Sequence, residues 1–346
     1  MRRFYEEPSL DEGIVTEAIE AVAWAVQPGS KSNSRAVRLV EALRSAGVIK
    51  DNARYFHHGR AGSSGQFEKV SSVVPKVPFS TQKMASLSPV FQLTEGAYPA
   101  WVDLYDDWSI APDINVVHRR LAARTYRTVR RFNRAVITVN SPYMASRVAS
   151  GNAVVIPNGV DERISYLAPS GDDRKRLIVL GNFFEGRTDW SVILKLTSAV
   201  KFDEIVVGRP GRTRSMARVL STLKAAYGAK LRVLDWIDDA QISNLAGRHS
   251  IALIPHVVSD YTLSQDLMKV YQLSGLGIRI VCPRMLWPAH LSISDAFLYD
   301  FGADLRNVGD WMESAAIEES GRLAFIRANS WARRAESVLE LLKGAK

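Results

Sequence analysis

The stretch Thr262-Leu-Ser-Gln-Asp-Leu-Met-Lys-Val-Tyr-Gln-Leu-Ser-Gly-Leu-Gly-Ile-Arg-Ile-Val-Cys-Pro283 decides the fold class. Thr262 followed three places later by Gln265 has capping-box spacing, so a helix is expected to start there. Leu263, Leu267, Val270 and Ser274 recur at i, i+4, i+7 and i+11 and mark one buried face, while Gln265, Lys269 and Gln272 fall on another. Gly275 and Gly277 stop the helix. Ile278 to Cys282 is then a short apolar run closed by Pro283, the pattern of a buried strand directly after a helix. A helix start offers unpaired N–H groups to an anion, and Lys269 with Gln272 one turn later adds a cation and an amide. That set suits a nucleoside diphosphate, and it equally suits an ordinary amphipathic surface helix.

Working outward, the same alternation of strand, loop and helix recurs. Glu17 to Val26 reads as a strand, 27–34 as a loop containing Lys31, and Arg35 to Ala46 as a helix ended by Gly47. This is the opening unit of a doubly wound α/β sheet, in which loops at the carboxyl ends of strands line the ligand crevice. The loop has neither G-x-G-x-x-G nor a Walker lysine, which argues against a dinucleotide or P-loop nucleotide there. Tyr55 to Ser88 is a loose region with short strands, and its His57-His58 pair lacks partners at metal-ligand spacing. Trp101 to Leu104 is a strand with Asp106 and Asp107 at its carboxyl end, where two acids are costly unless used. One of them is expected to cap the next helix and the other not. His118 to Arg134 reads as a helix with seven arginines and no acid, its buried stripe being Leu121, Thr125, Val129 and Phe132. In the second half, Arg176 to Leu180, a helix through Ala199 and Glu204 to Val207 repeat the βα pattern, with Arg209, Arg212 and Arg214 following.

At 346 residues the chain suits two domains of about 150–170 residues each. Apolar residues at 47% and charged residues at 23% describe a globular protein. The single Cys282 falls in the expected buried strand, which argues against a disulfide framework or thiolate metal site and makes it a core hydrophobe. No uncharged run reaches the ~18 residues needed to span a bilayer, and no signal-like segment opens the chain, so a cytoplasmic protein is expected. A net charge of +9 and a pI near 9.6 point to a polyanionic partner, either nucleic acid or an anionic membrane leaflet.

Several segments carry a family resemblance. Lys269 to Val281 resembles the K-L-x-E-Y-L-A-x-G-x-P-V-V segment of GT-B nucleotide-sugar glycosyltransferases of the bacterial group 1 type. Gln272 stands where most of that family has the glutamate that grips the ribose hydroxyls, and Arg279 stands in place of the proline. Met268 to Gln272 is similar to the xanthan-type glucuronosyltransferases, which carry a glutamine there. Ala135 to Ser141 with Asn152 to Asp161 resembles V-x-x-S … V-x-x-I-P-N-G-V-D. Ala100 to Ser109 resembles the Y-D-x-x-D-D turn, and Gly181 to Trp190 resembles G-x-x-x-x-x-R-x-D-W. The resemblance runs from about Ala100 to the end of the chain.

What it implies is an α/β fold of the GT-B kind, two Rossmann-like doubly wound domains facing across a cleft. Residues 1–158 would form the acceptor side, 159–328 the nucleotide-sugar side, and 329–346 a closing helix that returns to the first domain. The activity implied is a metal-independent hexosyltransferase with no cofactor, a UDP-sugar serving as co-substrate. Asp106 or Asp107 would be the base if the sugar carbon is inverted, and Arg187, Asp260, Tyr261, Lys269 and Gln272 would bind the donor. Related transferases usually carry glutamates in the arginine-rich helix, so Lys31, Arg120, Arg124, Arg127 and Arg131 are assigned to docking of the acceptor or a polyanion. The acceptor expected is a lipid-linked or cell-surface saccharide, met peripherally at the inner face of the membrane. The alternatives are a DNA-modifying glycosyltransferase acting on a hydroxylated base, and a non-catalytic GT-B relic that binds polyanions.

Overall fold

The computed structural model describes residues 18–24, 34–57, 67–69, 84–87, 99–112, 114–131, 135–148, 153–181, 186–210, 213–235, 237–293, 295–300, 302, 304–314 and 317–344. Its first part runs β1 (Glu20–Trp24), α1 (Arg35–Ser45), β2 (Arg54–His57), β3 (Phe67–Lys69), β4 (Met84–Leu87), β5 (Trp101–Leu104), α2 (Val116–Val129), β6 (Val136–Val139), α3 (Pro142–Val148) and β7 (Ala153–Val155). These strands form one parallel sheet of seven in the order β3-β2-β1-β4-β5-β6-β7. The second part runs β8 (Arg176–Leu180), α4 (Trp190–Ala199), β9 (Glu204–Gly208), α5 (Arg214–Tyr227), β10 (Leu231–Leu234), α6 (Asp239–Ser243), β11 (Ser250–Leu253), α7 (Asp260–Leu263), α8 (Met268–Gly275), β12 (Arg279–Pro283), β13 (Ala296–Tyr299), α9 (Val308–Glu313), α10 (Glu319–Asn329) and α11 (Trp331–Gly344). Its strands form a parallel sheet of six, β10-β9-β8-β11-β12-β13. Both orders reverse once, between β1 and β4 and between β8 and β11, and ligand crevices open at the carboxyl ends of strands at such switch points.

The strands read as they do because they are covered on both faces. β8, β9 and β12 are buried at every position, which an apolar run permits and an alternating one does not; the charged residue that opens each, Arg176, Glu204 and Arg279, is hydrogen-bonded. Cys282 lies wholly buried in β12 and burial pushes its thiol up, as a core position requires. The chain leaves the first sheet beside its own return: Val160 N–H donates to the Asn329 carbonyl at 2.9 Å, and Trp331 N–H donates to that of Val160 at 3.1 Å. A Cβ on Gly159 would lie 3.0 Å from Trp331, tighter than ordinary contact, so a side chain there would push the two segments apart by a few tenths of an ångström. α11 then places Trp331, Ala335, Val338 and Leu339 in the core formed by α1 and the first sheet.

Three expectations change here. The helix expected from Thr262 is divided. Ser259, not Thr262, is the N-cap of the short α7 and forms the capping box with Thr262, while α8 begins only at Met268. Residues 264–267 between them turn their polar groups toward the first sheet instead of continuing a helix. α2 is capped by Asn115 and ends at Val129, and it buries Ala122, Thr125, Tyr126 and Val129; Leu121 is only partly buried, and Phe132 and Arg134 lie outside the described residues. Arg279 is not merely a replaced proline. Its guanidinium lies 3.9 Å over the Trp311 ring and donates to the carbonyls of Trp311, Met312 and Ser314, tying β12 to the end of α9.

Candidate active site

The segment between α7 and α8 joins the two sheets. Ser264 Oγ accepts from the Asp107 N–H at 2.7 Å, and Ser141 Oγ donates to the Ser264 carbonyl at 2.9 Å. Gln265 Nε2 donates to Asp106 Oδ2 at 2.9 Å, while its Oε1 accepts from Arg187 at 3.2 Å. The Asp266 carboxylate accepts from the Asn158 N–H and from the Tyr271 hydroxyl; burial pushes its pKa up to about 6 against these bonds. On the first-sheet side Asn158 is held by Arg35, itself buried in a two-pronged pair with Asp103 at 2.8 and 2.9 Å. A hydrogen-bonded ion pair of this kind fixes geometry more than it adds stability.

The two acids after β5 take different roles. Asp107 is buried, accepts from the Ser109 N–H at 3.1 Å and pairs with Arg147 of α3 at 2.9 Å, so its lone pairs are spent on its own turn and on α3; contrary to expectation neither acid caps the next helix, whose N-cap is Asn115. Asp106 sits in the left-handed region at φ 55, a conformation unusual for a residue with a Cβ. That twist, with the Tyr126 hydroxyl donating to the Asp106 carbonyl at 2.9 Å, aims the carboxyl into the crevice, where Asn140 Nδ2 donates to it at 3.0 Å. Burial raises its pKa, opposed by the Gln265 hydrogen bond and the Arg187 charge. A carboxylate moved toward neutrality and held by two neutral amides is suited to accept a proton.

Facing it from the second sheet is a cluster of cations. The loop after β8 is tied to the loop after β11 by Asp189 N–H to the Pro255 carbonyl at 2.7 Å and Val257 N–H to that of Arg187 at 2.9 Å, which brings Arg187 beside His256. Arg187 lies 5.4 Å over the buried Tyr261 ring. Lys269, in the first turn of α8, reaches Gly181 so closely that a Cβ there would meet its Nζ at 1.8 Å; Gly181 itself has φ 136. Desolvation, then the charges of Arg187 and Arg209, depress Lys269 to about 7. His256 is lowered by burial and by Lys269 and Arg187, and so is neutral at physiological pH. Leu267, the N-cap of α8, offers no side-chain cap, and the helix start opens into the same space. Asp106, Asn140, Arg187, His256, Gln265 and Lys269 together line one cavity of about 370 Å³. Its deficit of negative charge on the second-sheet side is what an anionic group would relieve.

The other expected residues fall elsewhere. Tyr261 lines the cavity, whereas Asp260 is exposed beside Tyr143. Gln272 turns away from the cavity lining and donates to Asp239 on α6. Arg120, Arg124, Arg127 and Arg131 are exposed along α2 and just past its end, and Lys31 lies outside the described residues, as do the side chains of His57 and His58. Asn140, His256 and Gln265 were not expected. The signal for the first two was their place at the end of the apolar runs of β6 and β11, Asn140 directly after the one and His256 three residues after the other; Gln265 has the spacing of a cap for Thr262.

With this geometry in place, comparison with solved structures is informative. HepE from Anabaena, in complex with UDP and glucose, superposes with a TM-score of 0.62 at 12% identity, covering 94% of this chain and 100% of that one. The chain has the GT-B fold. A glycosyltransferase from Rickettsia africae gives 0.60 at 12% identity over 95% and 98% of the two chains. AviGT4, a glycosyltransferase involved in avilamycin A biosynthesis, gives 0.59 at 13% identity over 94% and 97%. No protein family and no curated protein matches the sequence. At these identities the likeness speaks for the fold, and the chemistry has to be argued from the site.

Proposed function

We propose that this protein is a glycosyltransferase that moves a sugar from a nucleotide diphosphate donor, a UDP-sugar, to an acceptor hydroxyl presented at an anionic membrane surface. The observation that carries the reading is the meeting in one cavity of Asp106, from the first sheet, with Lys269 and Arg187, from the second. The diphosphate is neutralised by Lys269, Arg187 and the N–H groups at the start of α8, so no metal is required. Asp106 accepts the proton of the acceptor hydroxyl as its oxygen bonds to the anomeric carbon, and the bond from that carbon to the diphosphate breaks with its electron pair leaving on the phosphate. Gln265 bridges Asp106 and Arg187 through its amide and so couples the base to the diphosphate site. This is an inverting displacement; in a retaining enzyme Asp106 positions the acceptor instead. The UDP preference rests on the fold neighbour described with UDP and glucose.

The acceptor side is read from α2. Arg120, Arg124 and Arg127 are exposed on a helix without an acid, and Val116 and Val117 at its start are 50% and 59% exposed. Arginines favour any polyanion, but exposed valines gain only from an apolar phase, which supports a lipid leaflet over a DNA duplex. Calorimetric titration with UDP-, GDP- and dTDP-sugars tests the donor reading: one of them should bind, and Lys269→Ala should weaken it. Unchanged affinity in that variant removes the proposal.

A further inference from the structure

A second, larger cavity of about 750 Å³ lies across the 256–258 loop from the first, walled by the start of α4, the loop after β11 and the ends of β12 and β13. Its size is within the ~300–1,000 Å³ range of small-molecule sites. The part of the wall open to solvent is mostly apolar. Val258 and Met285 are 45% and 64% exposed, and Trp190 and Val257 beside them are half-buried. Most of the charged lining is already engaged. Arg284 pairs with Asp300 at 3.2 Å, and Asp189 caps α4, accepting from the Ser191 N–H at 3.0 Å and from its hydroxyl at 2.6 Å; Lys195 is exposed. Thr188 Oγ1, the Tyr299 hydroxyl and His256 Nδ1 are closed to solvent behind the wall. A sugar or a nucleobase would find few partners on this surface, whereas a hydrocarbon chain needs none.

The surroundings of the cavity name the source of such a chain. Val257 N–H donates to the Arg187 carbonyl at 2.9 Å, which lays Val258 beside the loop after β8. Gly186 of that loop lies against Pro112: a Cβ on it would be 3.8 Å from the proline. Four residues after Pro112, α2 begins with Val116 and Val117, 50% and 59% exposed, and its arginines follow. Exposed apolar side chains thus stand on both sides of one contact between the two halves, with cations around them, and a patch of this kind suits an anionic leaflet. We propose that the second cavity seats the hydrocarbon chain of a lipid-linked acceptor, whose head group passes His256 to reach the transfer cavity. His256 lines both cavities, so chain and head are separated by one side chain. The proposal rests on the reading of the acceptor as membrane-borne and adds to it a site on the second sheet.

The test uses the full chain with n-hexanol, n-octanol and n-decanol as probes, followed by calorimetry. Kd should fall about fourfold for each methylene added, as expected for a chain entering an apolar wall. Met285→Ser and Val258→Ser, both at exposed positions, should each weaken decanol about threefold or more, with Tm and UDP-glucose affinity as in wild type. Octyl β-D-glucoside, kept below its micelle concentration, should compete with octanol and bind at least as tightly, since its head lies toward the transfer cavity. Absence of alkanol binding, an affinity that does not change with chain length, or equal decanol affinity in wild type and both variants overturns the proposal. Octanol binding that the glucoside does not displace overturns it too, because the pocket is then closed to a chain with a head. UDP-glucose binding without alkanol binding removes this site and leaves the donor reading standing. Chain-length-dependent binding in a protein that binds no nucleotide-sugar supports this site and counts against the donor reading alone.

Discussion

Donor binding should take up a proton, and Lys269 should be the group that receives it. In the free protein burial and the charges of Arg187 and Arg209 hold this lysine at about 7, against an ordinary value of 10.5. A diphosphate placed beside it reverses both causes by supplying the opposite charge. If the bound value returns to 10.5, the lysine is roughly half protonated at pH 7 and about 3% protonated at pH 8.5 when free, but almost fully protonated when bound. Uptake at pH 8.5 is then close to one proton. The apparent Kd weakens about fifteenfold between pH 7 and 8.5, because the protonated fraction of the free protein falls by that factor. His256 does not contribute, being lowered by burial and by its cationic neighbours and so neutral throughout this range. Calorimetry of UDP-glucose binding at pH 8.5 in buffers of different ionisation enthalpy counts the protons directly. Lys269→Met should bind more weakly, with no uptake and a flat pH profile. Zero uptake in wild type, or the same uptake in the variant, refutes the assignment.

Other expectations follow from the same geometry. Gly181→Ala should cut donor affinity about tenfold or more, since the new Cβ meets Lys269 Nζ and the backbone angle is one that L-residues rarely adopt; calorimetry checks it, and unchanged affinity would show that Lys269 works from another position. Asp107→Asn should lower Tm through the loss of its bonds to Arg147 and Ser109, about 1–2 kcal/mol, while leaving donor affinity intact; weakened donor binding at unchanged Tm would contradict its structural role. Changing Arg120, Arg124, Arg127 and Arg131 to Ser should reduce binding to anionic vesicles by up to a thousandfold, at roughly 1 kcal/mol per residue. Changing Val116 and Val117 to Ser should weaken vesicle binding but not binding to duplex DNA, and salt-steep DNA binding without vesicle affinity would favour a nucleic-acid acceptor.

Local pattern was enough for the strands and insufficient for the segment that matters most. β5 and β8 lie on the apolar runs, and each admits one charged residue to a covered strand only with its partner: Asp103 with Arg35 in β5, and Arg176 with Asp172 and Glu204 at the start of β8. The helix before β12 was misplaced because two overlapping pairs, Ser259 with Thr262 and Thr262 with Gln265, both have capping spacing. Ser259 takes the cap, which frees Gln265 to reach Asp106 and Arg187. Nothing local to residues 264–267 reveals that their first-sheet partners, Asp106, Asp107, Ser141 and Asn158, lie more than a hundred positions earlier in the chain. The division of labour between Asp106 and Asp107 was not legible: neither caps the next helix, which takes Asn115, and their roles depend on Asn140 after β6 and Arg147 in α3. For Gln272 the family segment suggested the donor, and the structure adds a partner that the segment does not reveal, Asp239 on α6, to which its amide donates.

The central claim, that this cavity transfers a sugar with Asp106 as base, is tested most directly by the rate of UDP release from a UDP-sugar in the presence of anionic glycolipid vesicles, for wild type and Asp106→Asn. The account predicts release by wild type and a rate about 10²–10⁴ lower in the variant, with UDP-sugar affinity unchanged within a fewfold. Equal rates in the two proteins, or no release by wild type from a donor that it binds, would contradict it.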